Sequence, residues 1–155
     1  LDVENLLDTA EIALSMSLEA LLGSSAAFDP RLHQARGQQG QMQVAEGVRR
    51  LTAGSNLLDA AGRVQDAYSL RCAPQVQGIG RDTLVFVRTI VEREINAATD
   101  NPLLFLDLPR ENKALSGGNF HGEPLAIAMD YVSMAMTELG NISERRLMRR
   151  MRRAA

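Results

Sequence analysis

A phenol and a guanidinium lie three residues apart in the middle of the chain, at Tyr68 and Arg71. The stretch around them, residues 65–72, has no helical apolar period, so it predicts a loop between two long helices. A tyrosine hydroxyl can donate or accept a proton, and an arginine can hold a carboxylate through two parallel hydrogen bonds. The pair fits a site for a carboxylate compound, but it also fits a structural loop in which Arg71 pairs with a buried carboxylate.

Two further polar stretches follow along the chain. Residues 96–102 read most simply as the end of a helix and a turn, because Pro102 disfavours a helical conformation at the preceding residue. Residues 116–124 contain a Gly-Gly-Asn turn before a helix, which alone indicates ordinary N-capping. Within it Phe120 offers an aromatic ring, while His121 in a capping turn is more often structural.

The residues between these stretches predict an all-α chain of long helices packed as a bundle. One helical segment is expected to span residues 1–155. Asp29 is expected to cap a short helical turn that begins at Pro30. The last helix has an apolar first half, which predicts burial in a bundle core. The predicted long helices cover approximately residues 3–22, 42–51, 75–98 and 123–155.

Glycines give two further expectations about these helices. Gly23 is predicted to be the C′ residue after the first helix, and Asp2 its N-cap. Gly78 and Gly80 would weaken an isolated helix, so they predict that another backbone or a ligand comes close there.

Composition and charge exclude several classes of function. The net charge of -2 gives the whole chain no strong field for nucleic acid or anionic lipid, and no apolar run is long enough to span a bilayer. Cys72 is the one cysteine, so an internal disulfide is excluded and a reducing, cytoplasmic compartment is expected. His33 and His121 are not spaced as a metal pair, so no metal site is predicted.

Three motifs, in this order, resemble the aromatic amino acid ammonia-lyases, and among them most nearly the histidine ammonia-lyases. They are QDAYSLRC at residues 65–72, NAATDNPL at 96–103 and GGNFHGEP at 117–124. The resemblance covers almost the whole chain and fades in the last ten or so residues. It implies a central portion of a larger, mainly helical lyase.

The resemblance also implies roles for five residues. Arg71 would hold the substrate α-carboxylate, and Tyr68 would lie beside the reacting carbon and the ammonia group. Gln65 would hydrogen-bond near the cofactor, while Asn119 and Phe120 would line the site, with the ring of Phe120 against the cofactor. The family's cofactor is a methylidene-imidazolone made from an Ala-Ser-Gly triplet, and this chain contains no such triplet. We therefore expect Tyr68 and Phe120 as catalytic residues and Arg71, Gln65 and Asn119 as substrate-binding residues.

The implied activity is conversion of L-histidine to urocanate and ammonia by a homotetramer, with this chain inactive alone. His121 favours the histidine enzymes, because phenylalanine lyases tend to place glutamine there. Three alternatives remain: a tyrosine or phenylalanine lyase or aminomutase, a non-catalytic helical association module, and a nucleic-acid binder acting through the arginine-rich residues 145–153.

Overall fold

The computed structural model describes residues 1–154, and it is built almost entirely of helices, which confirms the predicted all-α class. Residue 155, the end of the predicted last helix, lies outside the described residues. Short 3-10 turns cover Ser25–Phe28 and Arg110–Asn112, and a two-stranded antiparallel ribbon pairs β1 (Leu103–Leu104) with β2 (Ala114–Leu115). The helices are α1 (Asp2–Ala20), α2 (Pro30–Arg36), α3 (Gln39–Leu51), α4 (Tyr68–Arg71), α5 (Ala73–Ile95) and α6 (Glu123–Ala154).

The core lies where α1, α3, α5 and the second half of α6 meet. Leu14 and Leu18 of α1 are fully buried, and Val48 of α3 and Ile142 of α6 pack into the same cluster. Leu70 of the short helix α4 is also fully buried there. Burying a leucine stabilises the fold by about 1.5–3 kcal/mol, so this cluster anchors the α4 turn to the bundle.

Helices α3 and α5 cross with their backbones in direct contact. A Cβ atom built on Gly78 would lie 2.6 Å from the Cα of Gln41, and one on Gly40 would lie 2.9 Å from the carbonyl carbon of Gly78. The prediction of a close backbone at Gly78 is therefore confirmed. At Gly80 the neighbour is a side chain, because a Cβ there would lie 2.7 Å from Cδ2 of Leu7.

The sequence signals predicted the first residue of α2 correctly but not that of α1. Asp29 accepts a hydrogen bond from the N–H of Arg31 at 2.9 Å, and Pro30 begins α2, as predicted. The predicted N-cap at Asp2 is wrong, since Asp2 is the first residue of α1 and Leu1 precedes it.

The predicted C′ residue of α1 is also wrong. Leu22 adopts the left-handed conformation, with φ of 52°, and the N–H of Gly23 donates to the carbonyl of Leu18 at 2.7 Å. Gly23 is required for a different reason: a Cβ there would lie 2.8 Å from Leu18 Cδ2 and 3.2 Å from Asp66 Oδ2. The glycine makes room for the loop that carries Asp66.

The predicted loop at residues 65–72 contains one turn of helix, α4, and Pro74 lies in the first turn of α5 rather than before it. The N–H groups of Leu70 and Arg71 both donate to the carbonyl of Ala67 at 3.0 Å. A turn of four residues is too short to show an apolar period, so the pattern could not reveal it.

Helix α6 is less buried within this chain than its apolar sequence predicts. Ala128, Ala135 and Leu139 form the buried stripe, whereas Ile127 and Met134 are 57% and 61% exposed. On α1, Met16 is likewise 61% exposed. These apolar surfaces are not covered by the described part of the chain. No helix within residues 1–154 is long and apolar enough to cross a membrane.

Three buried polar side chains, those of Glu11, His33 and Gln41, make polar contacts inside the bundle. Arg81 of α5 donates from Nε to Oε1 of Glu11 at 2.7 Å and also contacts Asp8, and burial raises the pKa of Glu11. His33 contacts the carbonyl of Ala27 through Nε2 at 3.1 Å. Its Nδ1 lies 2.8 Å from the amide nitrogen of Gln41, and burial lowers the pKa of His33.

Candidate functional site

The phenol and the guanidinium singled out in the sequence are in contact. The side chain of Tyr68 is 71% exposed, and the guanidinium carbon of Arg71 lies 4.6 Å from the centre of its ring. Nε of Arg71 is buried and has no hydrogen-bond partner within residues 1–154. No described carboxylate forms an ion pair with Arg71, so the structural pairing that the sequence left open is not present in this part of the chain.

Gln65 and Arg71 line one cleft of about 310 Å³ at the C-terminal end of α1. Gln65 is exposed, so its side-chain amide, with one carbonyl acceptor and an N–H donor group, lines the same space as the guanidinium of Arg71. Such a set can bind a carboxylate together with a neighbouring polar group. The structure therefore brings Gln65, Tyr68 and Arg71 together.

A buried clamp fixes this loop to the end of α1. Asp66 accepts hydrogen bonds from the N–H of Ser24 at 2.6 Å and from Nε of Arg63 at 3.0 Å. Arg63 also donates to the carbonyls of Leu21 and Leu22 at 2.7 and 2.9 Å, which satisfies groups left free by the end of the helix. Sequence reasoning missed Arg63 and gave Asp66 no role, although Asp66 lies inside the first motif.

A second cleft, of about 550 Å³, is lined by Tyr68. Cys72 lies in its wall, and α6 contributes Glu138, Asn141 and Arg145. The sequence offered no signal for Glu138 and Asn141, because they stand in an ordinary amphipathic helix, and it singled out Arg145 only as part of the arginine-rich tail.

The third motif is held in place by the second. Asn101 accepts hydrogen bonds from Oγ of Ser116 at 3.0 Å and from the N–H of Gly117 at 2.7 Å, and Nδ2 of Asn119 donates to the carbonyl of Ala98 at 3.3 Å. The turn after α5 thus positions the segment before α6. This arrangement agrees with the expectation that residues 96–102 form the end of a helix and a turn.

Phe120 projects at that end of the bundle. Its side chain is 62% exposed and lines a cleft of about 360 Å³ with Ile95 and Leu125. His121 accepts a hydrogen bond through Nδ1 from the N–H of Glu123 at 3.3 Å, which is the structural capping contact expected of a lone histidine.

The two groups of candidate residues lie at opposite ends of an antiparallel helix pair. Residues 68–72 share clefts with the second half of α6, whereas Asn119 and Phe120 share a cleft with the end of α5. Helix α5 has 23 residues, which gives a length of about 34 Å. One chain therefore does not bring Gln65, Tyr68 and Arg71 together with Asn119 and Phe120.

Comparison with known proteins decides the family. A family model described as aromatic amino acid lyase matches residues 1–155. The chain belongs to the aromatic amino acid lyase family. A lyase relative, the histidine ammonia-lyase of Chloroflexus aurantiacus, is 55% identical over 148 residues, covering 94% of this chain and 28% of the relative. The histidine ammonia-lyase of Geobacillus kaustophilus is 53% identical over 151 residues, covering 96% of this chain and 29% of the relative.

Solved structures of this lyase family share the fold. The histidine ammonia-lyase from Trypanosoma cruzi superposes with a TM-score of 0.82 at 44% identity, covering 95% of this chain and 26% of that one. A tyrosine aminomutase from Streptomyces globisporus gives 0.85 at 37% identity, covering 95% and 31%. The chain thus spans less than a third of the length of these lyases. This agrees with the expectation that it is part of a larger helical enzyme.

Proposed function

We propose that this chain is a segment of a histidine ammonia-lyase and supplies two parts of its active site. One part is the cleft of Gln65 and Arg71, with Tyr68 in contact with Arg71 beside it, and the other is the Asn119–Phe120 wall. The observation that carries the proposal is the unpaired guanidinium of Arg71, whose buried Nε has no partner within residues 1–154, beside an exposed phenol. A scaffold has no need of such a donor, which weighs against a non-catalytic association module.

The reaction requires that an α-amino acid lose a β-proton and its amino group, with a carbon–carbon double bond formed between the α and β carbons. Arg71 provides a planar fork for the α-carboxylate, which fixes the α-carbon. The ring of Tyr68 lies against the guanidinium of Arg71, so the phenol stands beside the carboxylate that Arg71 would hold. We assign Tyr68 the transfer of the proton, because a phenol hydroxyl can both accept and donate a proton.

The family's methylidene-imidazolone supplies an electrophile, which helps the poor leaving group ammonia to depart. This chain has no Ala-Ser-Gly triplet, so another segment must carry that group. The residues present fit as its neighbours: Phe120 offers a 62% exposed ring, and Gln65 offers an exposed amide. Phe120 would pack against the group, and Gln65 would hydrogen-bond beside it.

The separation of the two parts supports assembly from several copies. With about 34 Å of helix between them, Arg71 and Phe120 of one chain cannot contact one small substrate. We propose a homotetramer in which each site combines the Arg71 cleft of one copy with the Phe120 wall of another. The exposed apolar side chains of α1 and α6 offer surface for such contacts. The isolated chain is then inactive.

Sequence identity, rather than structural superposition, favours L-histidine over L-tyrosine or L-phenylalanine as the substrate. The tyrosine aminomutase superposes slightly better, at a TM-score of 0.85 against 0.82, but the histidine enzyme is more identical, at 44% against 37%. Both matches share the helical scaffold, so small differences in superposition carry little information about the substrate.

The single cysteine also fits a reducing, cytoplasmic compartment.

A chimaera tests the proposal. The part of this chain that aligns with the Chloroflexus aurantiacus histidine ammonia-lyase replaces the matching segment of that enzyme. Formation of the unsaturated acid, which is urocanate when L-histidine is the substrate, is followed by absorbance with L-histidine, L-tyrosine and L-phenylalanine. The chimaera is expected to release urocanate, and the 155-residue chain alone is not. Arg71→Gln in the chimaera should lower kcat/KM by about 100-fold, since a hydrogen-bonded charge contributes about 1.5–3 kcal/mol.

The matched control is Arg36→Gln, which removes the same charge from the exposed last turn of α2. Activity of that variant should stay near that of the parent chimaera. A chimaera that folds as a tetramer but forms no urocanate would favour the association module. A chimaera that releases the tyrosine or phenylalanine product instead would favour the alternative substrates.

A further inference from the structure

A basic cleft lies between the α4 turn and the last turns of α6. Its volume is about 420 Å³, and we call it the arginine cleft. One wall consists of Arg145, Arg149 and Arg152, and the facing wall includes Tyr68 and Ser69. Its lining contains three guanidinium groups and no carboxylate. A chain with a net charge of -2 thus concentrates positive charge in one concave place.

The arginines of this cleft are available for a ligand. Arg149 and Arg152 form no ion pair within residues 1–154, and Arg145 contacts only the neighbouring exposed Glu144, at 3.4 Å. The helix dipole favours cations in the last turn alone, so it does not account for Arg145 and Arg149. The three side chains recur at spacings of four and three residues, so they share one face over about 10 Å.

A fourth arginine adds charge on the adjoining, buried side of α6. Arg146 is only 3% exposed, and its Nη1 is buried with no hydrogen-bond partner in the described part of the chain. Its Nη2 donates to Oγ of Ser143 at 2.9 Å, and burial lowers the pKa of the Arg146 guanidinium. A charge in a poorly solvated place is weakly screened, so it strengthens the positive potential at the neighbouring surface.

We propose that the arginine cleft is a binding site for a small polyvalent oxyanion, of the class of a diphosphate-bearing compound. Planar guanidinium forks suit phosphate oxygens, and three of them over about 10 Å match two linked phosphate groups better than one carboxylate. The arginine cleft is distinct from the cleft that Gln65 and Arg71 line, but Tyr68 in its wall contacts Arg71. A bound anion would therefore stand next to the substrate cleft.

Calorimetric titration of the 155-residue chain with pyrophosphate tests the proposal. The expected result is saturable binding of one pyrophosphate per chain. The double variant Arg149→Gln/Arg152→Gln should weaken binding roughly 100-fold, because each charge-assisted hydrogen bond contributes roughly tenfold. Both side chains are exposed and without ion pairs within residues 1–154, so their replacement leaves the fold intact, which circular dichroism checks.

Two matched variants make the test specific. Arg150→Gln removes the same charge from the same stretch of α6, but Arg150 does not line the cleft, so its affinity should stay within about twofold of wild type at physiological salt. Arg71→Gln should also retain binding, which separates this site from the proposed carboxylate site.

Other outcomes would overturn the assignment. Absence of saturable pyrophosphate binding would remove the site, and an equal loss in Arg150→Gln would show a diffuse charge effect. Binding of single-stranded oligonucleotides that strengthens with their length, and falls steeply with salt, would replace a small ligand by nucleic acid. None of these results bears on urocanate formation by the chimaera, so the two proposals fail independently.

Discussion

The crossing of α3 and α5 gives a prediction in which two effects of one mutation have opposite signs. Gly78→Ala raises the intrinsic helix propensity of α5, which stabilises a helix by about 1 kcal/mol. The new Cβ would, however, lie 2.6 Å from the Cα of Gln41 and 2.7 Å from the carbonyl carbon of Gly40. Carbon atoms pack at about 3.5–4.0 Å, so the two helices must separate by about 1 Å.

Because both partners are backbone, no flexible side chain can move aside. Overpacking costs up to about 3 kcal/mol, so after the gain in propensity we expect Gly78→Ala to lose about 2 kcal/mol of unfolding free energy. For a chain of this size that corresponds to a fall in Tm of about 4–8 °C. Thermal and urea unfolding, followed by circular dichroism at the helical signal, measure the change.

Gly140→Ala is the matched control. Gly140 also lies inside a helix, but a Cβ built there meets nothing within 4 Å. Propensity acts alone at that position, so the variant should gain up to about 1 kcal/mol. Equal stabilisation of both variants would refute the inference that the backbones of α3 and α5 are in contact at Gly78.

Three other predictions concern buried charges, and each is read from the unfolding free energy. Arg81→Met leaves Glu11, which is 7% exposed, without its partner and should lower the unfolding free energy by about 3 kcal/mol. The double variant Arg81→Met/Glu11→Leu should recover most of that loss. A double variant that is no more stable than the single one would contradict the pairing. Arg146→Met should raise the unfolding free energy by about 1–3 kcal/mol, because Nη1 of Arg146 is buried and has no hydrogen-bond partner in the described residues. A loss of stability would show that this guanidinium has a partner. Burial lowers the pKa of His33, so its contribution to stability is complete above about pH 6.5 and is lost as the pH falls through the folded-state pKa. Unfolding at stepwise lower pH should therefore show a steeper loss in wild type than in His33→Gln.

Local signals in the sequence predicted those parts of the fold that depend on a few neighbouring residues. The cap at Asp29, the start of α2 at Pro30 and the close approach at Gly78 each follow from the chemistry of one or two side chains. The family followed from three short motifs in order, and the family match over residues 1–155 confirms it.

The failures arise where distant contacts decide. Leu22 takes the left-handed conformation, whereas Gly23 occupies a close packing contact with Leu18 and Asp66. The α4 turn forms because Leu70 enters the core, which no local period shows. The exposed side of α6 could not be predicted from the sequence. The apolar pattern of a helix is the same whether residues of its own chain or of another chain pack on it.

The roles of Gln65, Tyr68, Arg71, Asn119 and Phe120 stay predictions. What the fold adds is their division into two groups, which follows from the antiparallel course of α5 and α6. A linear sequence gives the order of these residues but not the end of the bundle at which each lies.

The distance between the two groups has a genetic consequence. Under the proposed assembly, Arg71→Gln and Phe120→Ala damage different copies' contributions to each site, so the two defective polypeptides can rescue each other when they are produced together. Random mixing at equal amounts leaves about one site in four with both contributions intact, whereas either variant alone has none. Loss-of-function alleles within this one segment would therefore sort into two complementation groups, divided by the end of the α5–α6 pair that they affect.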